Sequence, residues 1–246
     1  MKPTMKKTVR PVLLATDFEQ ASRRAFTYAI KLAGTTGASL QILHVIKTVS
    51  ESASAAPDRR HLNSIKTAAL LELGRLTRLA REAGVHAEPS LRYGVPDACI
   101  LEAVQRLHPG MIVIGTEGRT GWDRLRLGST AQTVVRQATC PVLAVHGGLA
   151  GDAVRHHARV KLERWLLATD FSSYAEEARR AVCVLTAGSD ARIYAVHAAA
   201  SESALAQGKR KMSGLMEDLR RKDPEAEGLC LPGEPVETIL AQAAQW

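Results

Sequence analysis

A chain of 246 residues with 46% hydrophobic and 24% charged side chains has the apolar mass for one large domain or two modest ones, and too much to remain disordered. Only 4% of it is aromatic, which excludes an aromatic-rich core and leaves aliphatic residues and alanine to build one. The net charge of +8 is uneven: residues 1–150 carry 20 basic and 11 acidic side chains, residues 151–246 carry 13 and 14, so an anionic ligand is better met by the first part.

The chain opens on a basic leader (Lys2, Lys6, Lys7, Arg10) and runs into "PVLLAT", a β-like stretch closed by Asp17. That stretch is shorter than the apolar region of a secretory signal, so no signal peptide is expected. Nor does any segment approach the ~20 apolar residues of a membrane span. Cys99, Cys140, Cys183 and Cys230 show no CxxC or zinc-like spacing and each sits in an apolar pattern, which predicts buried, reduced thiols in a cytoplasmic protein.

Over 21–33, Ala21, Ala25, Tyr28 with Ala29, and Leu32 recur on one helical face, and Gly34 with Gly37 ends the helix. "SLQILHVI" is a second strand. Residues 59–83 form a long amphipathic helix along Leu62, Ile65, Ala69, Leu73, Leu76 and Ala80. A short, weak strand near 86–92 precedes a helix from Pro96 to Leu107. "MIVIG" from Met111 and "PVLAV" from Pro141 are the fourth and fifth strands, and the unbroken apolar character of the fourth suits burial on both faces. Strands alternating with helices predict an α/β fold, a doubly wound parallel sheet with helices on both sides.

The chain also repeats itself. "LLATDF" stands at Leu13–Phe18 and again at Leu166–Phe171, and the same offset aligns His44 with His197. Further on, "GVPDACI" from Gly94 is matched by "GEPVETI" from Gly233. This implies two tandem copies: a complete one over 8–147, a linker over 148–160, and an incomplete one over 161–246. The linker histidines His156 and His157 have no carboxylate or cysteine at ligand spacing, so a solvated linker is the better reading.

Between the fourth and fifth strands of the first copy lies "GTEGRTGWDRLRLGSTAQTVV", from Gly115. In a doubly wound sheet, ligands sit beyond the carboxyl ends of the strands. Glycine there permits φ > 0 and close backbone approach, and bare N–H groups in a glycine-rich turn favour an anion. Gly128 and Ser129 precede a helical pattern, with Ser129 as the expected N-cap, so the helix would aim free N–H groups and its positive end at the loop. Arg119, Arg124 and Arg126 add charge, so Gly115 to Gly118 and Gly128 to Thr130 form two ends of a phosphate clasp.

The spacing Gly115-x2-Gly118-x9-Gly128-Ser129, with "LLATDF", "LHVI", "GVPDACI" and "CPVLAV" around it, resembles the nucleotide-binding signature of the universal stress protein family. The resemblance covers residues 8–146, and residues 160–246 resemble the first two-thirds of a second copy. It implies strand order 3-2-1-4-5 and ATP as ligand, with Mg2+ or Mn2+ carried by the phosphates. Ala15, Thr16 and Asp17 would line the nucleoside side, Val45 would meet adenine through its backbone, and Ile114 would lie against the nucleoside. Gly115, Gly118, Gly128, Ser129 and Thr130 would hold ribose or phosphates, with Arg119 beside them on the basic loop. His44 is expected to be hydrogen-bonded locally rather than to act as a base.

The second copy keeps Asp170 and His197 but reaches "TILAQAAQW" without strands four and five or the glycine motif, so one nucleotide site per chain is expected. Its first strand is then an edge, and the fifth strand of the first copy lacks an intrachain partner. The resemblance implies a homodimer through Pro141–Val145. No triad-like order, metal cluster or paired carboxylates stand near the motif, which predicts a regulatory ATP-binding protein with at most slow ATP hydrolysis. The competing reading is an interaction or chaperone-like stress protein that uses no nucleotide. Nucleic-acid binding is not expected, because "KRK" at Lys209 and "RRK" at Arg220 lie on an amphipathic pattern as a solvated face.

Overall fold

The computed structural model describes residues 9–48, 59–116, 127–146, 160 and 162–246. It divides into two units, Met1–Val160 and Lys161–Trp246.

The first unit runs β1 (Val12–Thr16), α1 (Gln20–Thr36), β2 (Leu40–Lys47), α2 (Arg59–Glu82), β3 (Ala87–Gly94), α3 (Pro96–Leu107), β4 (Met111–Thr116), α4 (Ser129–Gln137) and β5 (Val142–His146). Its five strands lie in the order β3-β2-β1-β4-β5, and every neighbouring pair is parallel. All five residues of β1 are buried, as a central strand covered on both faces requires. Side chains alternate across the sheet. Leu13, Ala15, Leu43, Ile112 and Ile114 meet Ile100, Ala103 and Val104 of α3 and Ala131 and Val134 of α4. The opposite face carries Leu14, Ile42 and Val113, all fully buried. Each such aliphatic side chain contributes about 1.5–3 kcal/mol by leaving water.

Two elements differ from what the periodicity predicts. α1 runs through Gly34 to Thr36 and is closed by Gly37 alone, at φ 68°, whose N–H reaches the Ala33 carbonyl. β3 is not short: its eight residues pair in register with all of β2 from Leu40 to Lys47. Its pattern is weak because it is an edge strand. Only Ala87 is buried, Glu88 and Pro89 face solvent, and an edge tolerates a proline that a central strand does not.

The second unit runs β6 (Arg164–Ala168), α5 (Ser173–Leu185), β7 (Arg192–Ala199), α6 (Glu202–Arg220), β8 (Glu227–Pro232) and α7 (Pro235–Gln245). Its parallel order β6-β7-β8 repeats β1-β2-β3, and Leu167, Ile193, Ala195, Met212, Met216, Leu219 and Ala226 form its core. The buried Asp223 carboxylate accepts the Ile193 N–H at 2.8 Å and the Glu225 N–H at 3.1 Å, tying the end of α6 to the start of β7. Among the described residues β6 pairs only with β7, and no counterpart of β4 is present. The cost is visible on α5: α1 buries seven residues, its counterpart α5 none. α5 is instead laced by ion pairs, and the Arg179 guanidinium, aided by Arg180, holds the Glu176 carboxyl down at about 2.

The four cysteines are free but only half-buried, which corrects the buried-thiol expectation. Partial burial still pushes the Cys99, Cys140 and Cys230 thiols above their ordinary value.

Candidate functional site

The carboxyl ends of β1, β2 and β4 converge on a cavity of about 120 Å³. Ala15, Thr16 and Asp17 come from β1 and the turn after it, Val45 and Lys47 from β2, Ile114 and Gly115 from β4, and Gly128 to Ala131 from the start of α4. Leu43, Pro96 and Ile100 complete the apolar wall, and Ser22 enters from α1. A larger hollow of about 510 Å³ lies between α6 and β8 in the second unit. Its lining mixes Lys209, Arg220 and Glu217 with Met212 and Met216, and no strand end or helix N-terminus opens into it. The smaller cavity is therefore the better site, since strand ends and a helix start meet there.

The β1–α1 turn is held tightly. The Asp17 carboxylate accepts from the Ser22 hydroxyl at 2.5 Å and from the Glu19 N–H at 3.0 Å. Phe18 sits in the left-handed region at φ 67°, an arrangement that costs a bulky residue about 1–2 kcal/mol. The Phe18 N–H bonds to the Thr16 hydroxyl at 3.0 Å, and the Phe18 ring stacks on His44 with centroids 4.2 Å apart. The His44 Nδ1–H donates to the Thr16 carbonyl at 2.8 Å, so this histidine is bonded locally. Burial pushes its pKa below the ordinary value, opposed by the Thr16 bond and the Asp17 charge, which favours neutral imidazole.

Two glycines act differently from the expectation. Gly115 is not among the residues with positive φ. A Cβ there would lie 2.5 Å from the Ser22 nitrogen and 2.6 Å from the Ala21 carbonyl carbon. Glycine is needed there because the start of α1 presses onto β4. At the distal end Gly128, not Ser129, is the N-cap, at φ −56° and ψ 153°, and among the described residues no side chain caps the helix. Glycine is an accepted N-cap residue, and Ser129 becomes the first helical residue. The first backbone bond inward is from Gln132 to the Gly128 carbonyl, so the N–H groups of Ser129, Thr130 and Ala131 have no intrahelical partner. These three residues line the cavity.

The strand order, the strand-end cavity and the open helix start agree with one domain family. Residues 8–146, more than half of the chain, match the model of the universal stress protein family. The chain belongs to that family. A universal stress protein of Methanocaldococcus jannaschii is 30% identical to it over 138 residues, covering 55% of this chain and 81% of the relative. The universal stress protein YxiE of Bacillus subtilis is 32% identical over 143 residues, covering 54% of this chain and 97% of the relative. A solved universal stress protein of Archaeoglobus fulgidus superposes with a TM-score of 0.73 at 21% identity, covering 96% of this chain and 83% of that one, a likeness of fold that spans both units.

Nine of the residues singled out from the sequence thus surround one cavity of this universal stress protein: Ala15, Thr16, Asp17, Val45, Ile114, Gly115, Gly128, Ser129 and Thr130. Gly118 and Arg119 lie outside the described residues, as do Arg124 and Arg126. Ser22, Leu43, Lys47, Pro96, Ile100 and Ala131 were not anticipated. Ser22 had a legible signal, a lone hydroxyl on the apolar stripe of α1 five residues after Asp17. Lys47 had one too, as the cation ending the second strand.

Proposed function

We propose that this universal stress protein binds ATP in its first unit and acts as a nucleotide-dependent regulator of a stress response, without dedicated catalysis. The observation that carries the reading is the meeting, in one cavity, of the Asp17 and Val45 strand ends with the glycine-capped start of α4. N–H groups that have no intrahelical partner and the positive end of a helix dipole suit phosphate oxygens. On the other wall, Asp17 offers a carboxylate to ribose hydroxyls, and the apolar Val45, Ile100 and Ile114 suit a base. A divalent ion accompanying ATP would be carried by its phosphates.

One site per chain follows from the second unit, whose described residues hold no counterpart of β4 or α4. Purified chain is expected either to release one adenine nucleotide per chain when denatured and resolved by chromatography or, if isolated empty, to bind one per folded chain when nucleotide is added. A chain that neither carries nor binds ATP, ADP or AMP at millimolar concentration would overturn this function and favour an interaction protein that uses no nucleotide.

Assembly is part of the same reading. β5 ends the five-stranded sheet and pairs only with β4 among the described residues, leaving a row of backbone groups for another chain. We expect a homodimer through Pro141–Val145, seen as twice the chain mass in light scattering at micromolar concentration. A monomeric mass there counts against it.

A further inference from the structure

One ring grips both neighbours of Asp17. His44 lies opposite Thr16 in the parallel register of β1 and β2. Its Nδ1–H holds the Thr16 carbonyl at 2.8 Å, and its face carries the Phe18 ring at 4.2 Å with an interplanar angle of 23°. Asp17 is strung between these two anchored residues, so its backbone has little freedom left, and Ser22 then sets the carboxylate. The left-handed φ of Phe18 shows how sharply the chain turns there.

The second unit repeats the grip. The His197 Nδ1–H holds the Thr169 carbonyl at 2.8 Å, the Phe171 N–H bonds to the Thr169 hydroxyl at 3.0 Å, and Phe171 has φ 61°. The carboxylate is held by a different hydroxyl: Ala175 stands where the first unit has Ser22, and Asp170 keeps the counterpart of the Glu19 bond, accepting the Ser172 N–H at 2.9 Å, while the Ser172 side chain takes the place of Ser22 beside it. The histidine grip on the turn is therefore separable from whatever holds the aspartate side chain.

We propose that His44 is a positioning residue of the nucleotide site, which orients Asp17 toward the cavity by fixing the Thr16 carbonyl and the Phe18 ring. The inference rests on the nucleotide reading above. His44 itself need not touch the ligand.

The test is ATP affinity of the full-length chain by calorimetry, with thermal melting alongside. His44→Ala is expected to weaken ATP about tenfold, the loss typical of one hydrogen bond on a positioned group. His44→Asn places an amide N–H where Nδ1–H stood and is expected to return affinity to within about threefold of the parent. His197→Ala leaves affinity unchanged. Equal affinity of His44→Ala and the parent overturns the proposal, as does an Asn variant that melts like the parent yet binds as weakly as Ala. Should His44→Ala fail to fold, Phe18→Leu decides: it keeps the Thr16 bond and loses the stack, so a loss of about threefold supports the grip and parental affinity overturns it. A parent chain that binds no adenine nucleotide overturns the site reading and this inference together, whereas binding indifferent to His44 overturns this inference alone.

Discussion

Gly115→Ala is expected to destabilise the first unit by about 2–3 kcal/mol, at the upper end of overpacking costs, although it adds a single methyl group. The added carbon would sit 2.5 Å from the Ser22 nitrogen and 2.6 Å from the Ala21 carbonyl carbon, and both are backbone atoms that no rotamer change can move. α1 must lift from β4, which strips contacts from its buried face along Ala21, Ala25 and Ala29 and carries Ser22 away from Asp17. Urea unfolding followed by circular dichroism measures the first effect. The folded fraction should also bind ATP more weakly, by about tenfold, because the Asp17 carboxylate loses its hydroxyl donor. The two readouts separate two roles for the glycine. Were Gly115 only a clearance for ligand, binding would fall while the unfolding midpoint stayed where it was.

Ser129→Glu should move stability and binding in opposite directions. Ser129 is the first residue of α4 and lines the cavity together with Gly128, Thr130 and Ala131. A carboxylate in the first turn interacts favourably with the helix dipole, by roughly 0.3–1 kcal/mol, so the variant should melt no lower than the parent. The same charge stands where the phosphates are to sit, and like charges brought together cost several kcal/mol, so ATP affinity should fall by about a hundredfold. Calorimetric titration against thermal melting checks both. A variant that still binds ATP like the parent would remove the start of α4 from the site.

Much of the fold was legible because the buried strands have simple sequences. β1 and β4 are unbroken apolar runs, and both lie in the middle of the sheet with helices on each side. β3 was faint for the opposite reason. An edge strand needs only one buried side chain in register, and Glu88, Pro89 and Arg92 hide its period. The internal repeat was legible at "LLATDF", and the structure shows the two stretches making the same turn, with Phe18 and Phe171 both at positive φ.

The site was legible as a set of positions rather than as a set of roles. Spacing marks a glycine but cannot say what fills the missing Cβ, and at Gly115 it is the backbone of a helix nearly a hundred residues earlier in the chain. Serine favours the cap position, yet Gly128 takes it and, as a glycine, brings no side-chain acceptor of its own to the helix start. Ser22 was hidden in an otherwise apolar helical stripe, where its hydroxyl is buried yet satisfied by Asp17.

The second turn carries one more consequence. Phe171 adopts its left-handed φ, and His197 holds the Thr169 carbonyl, in a unit whose described residues include no counterpart of α4 and carry Ala175 in place of Ser22. The shape of the turn is thus set by its own strand pair and by the ring contact of its phenylalanine and histidine, stacked in the first unit and tilted at 48° in the second. By the same bonds the Asp17 corner is preorganised: the entropy of ordering it is lost once, when the chain folds, and not again with each nucleotide that arrives.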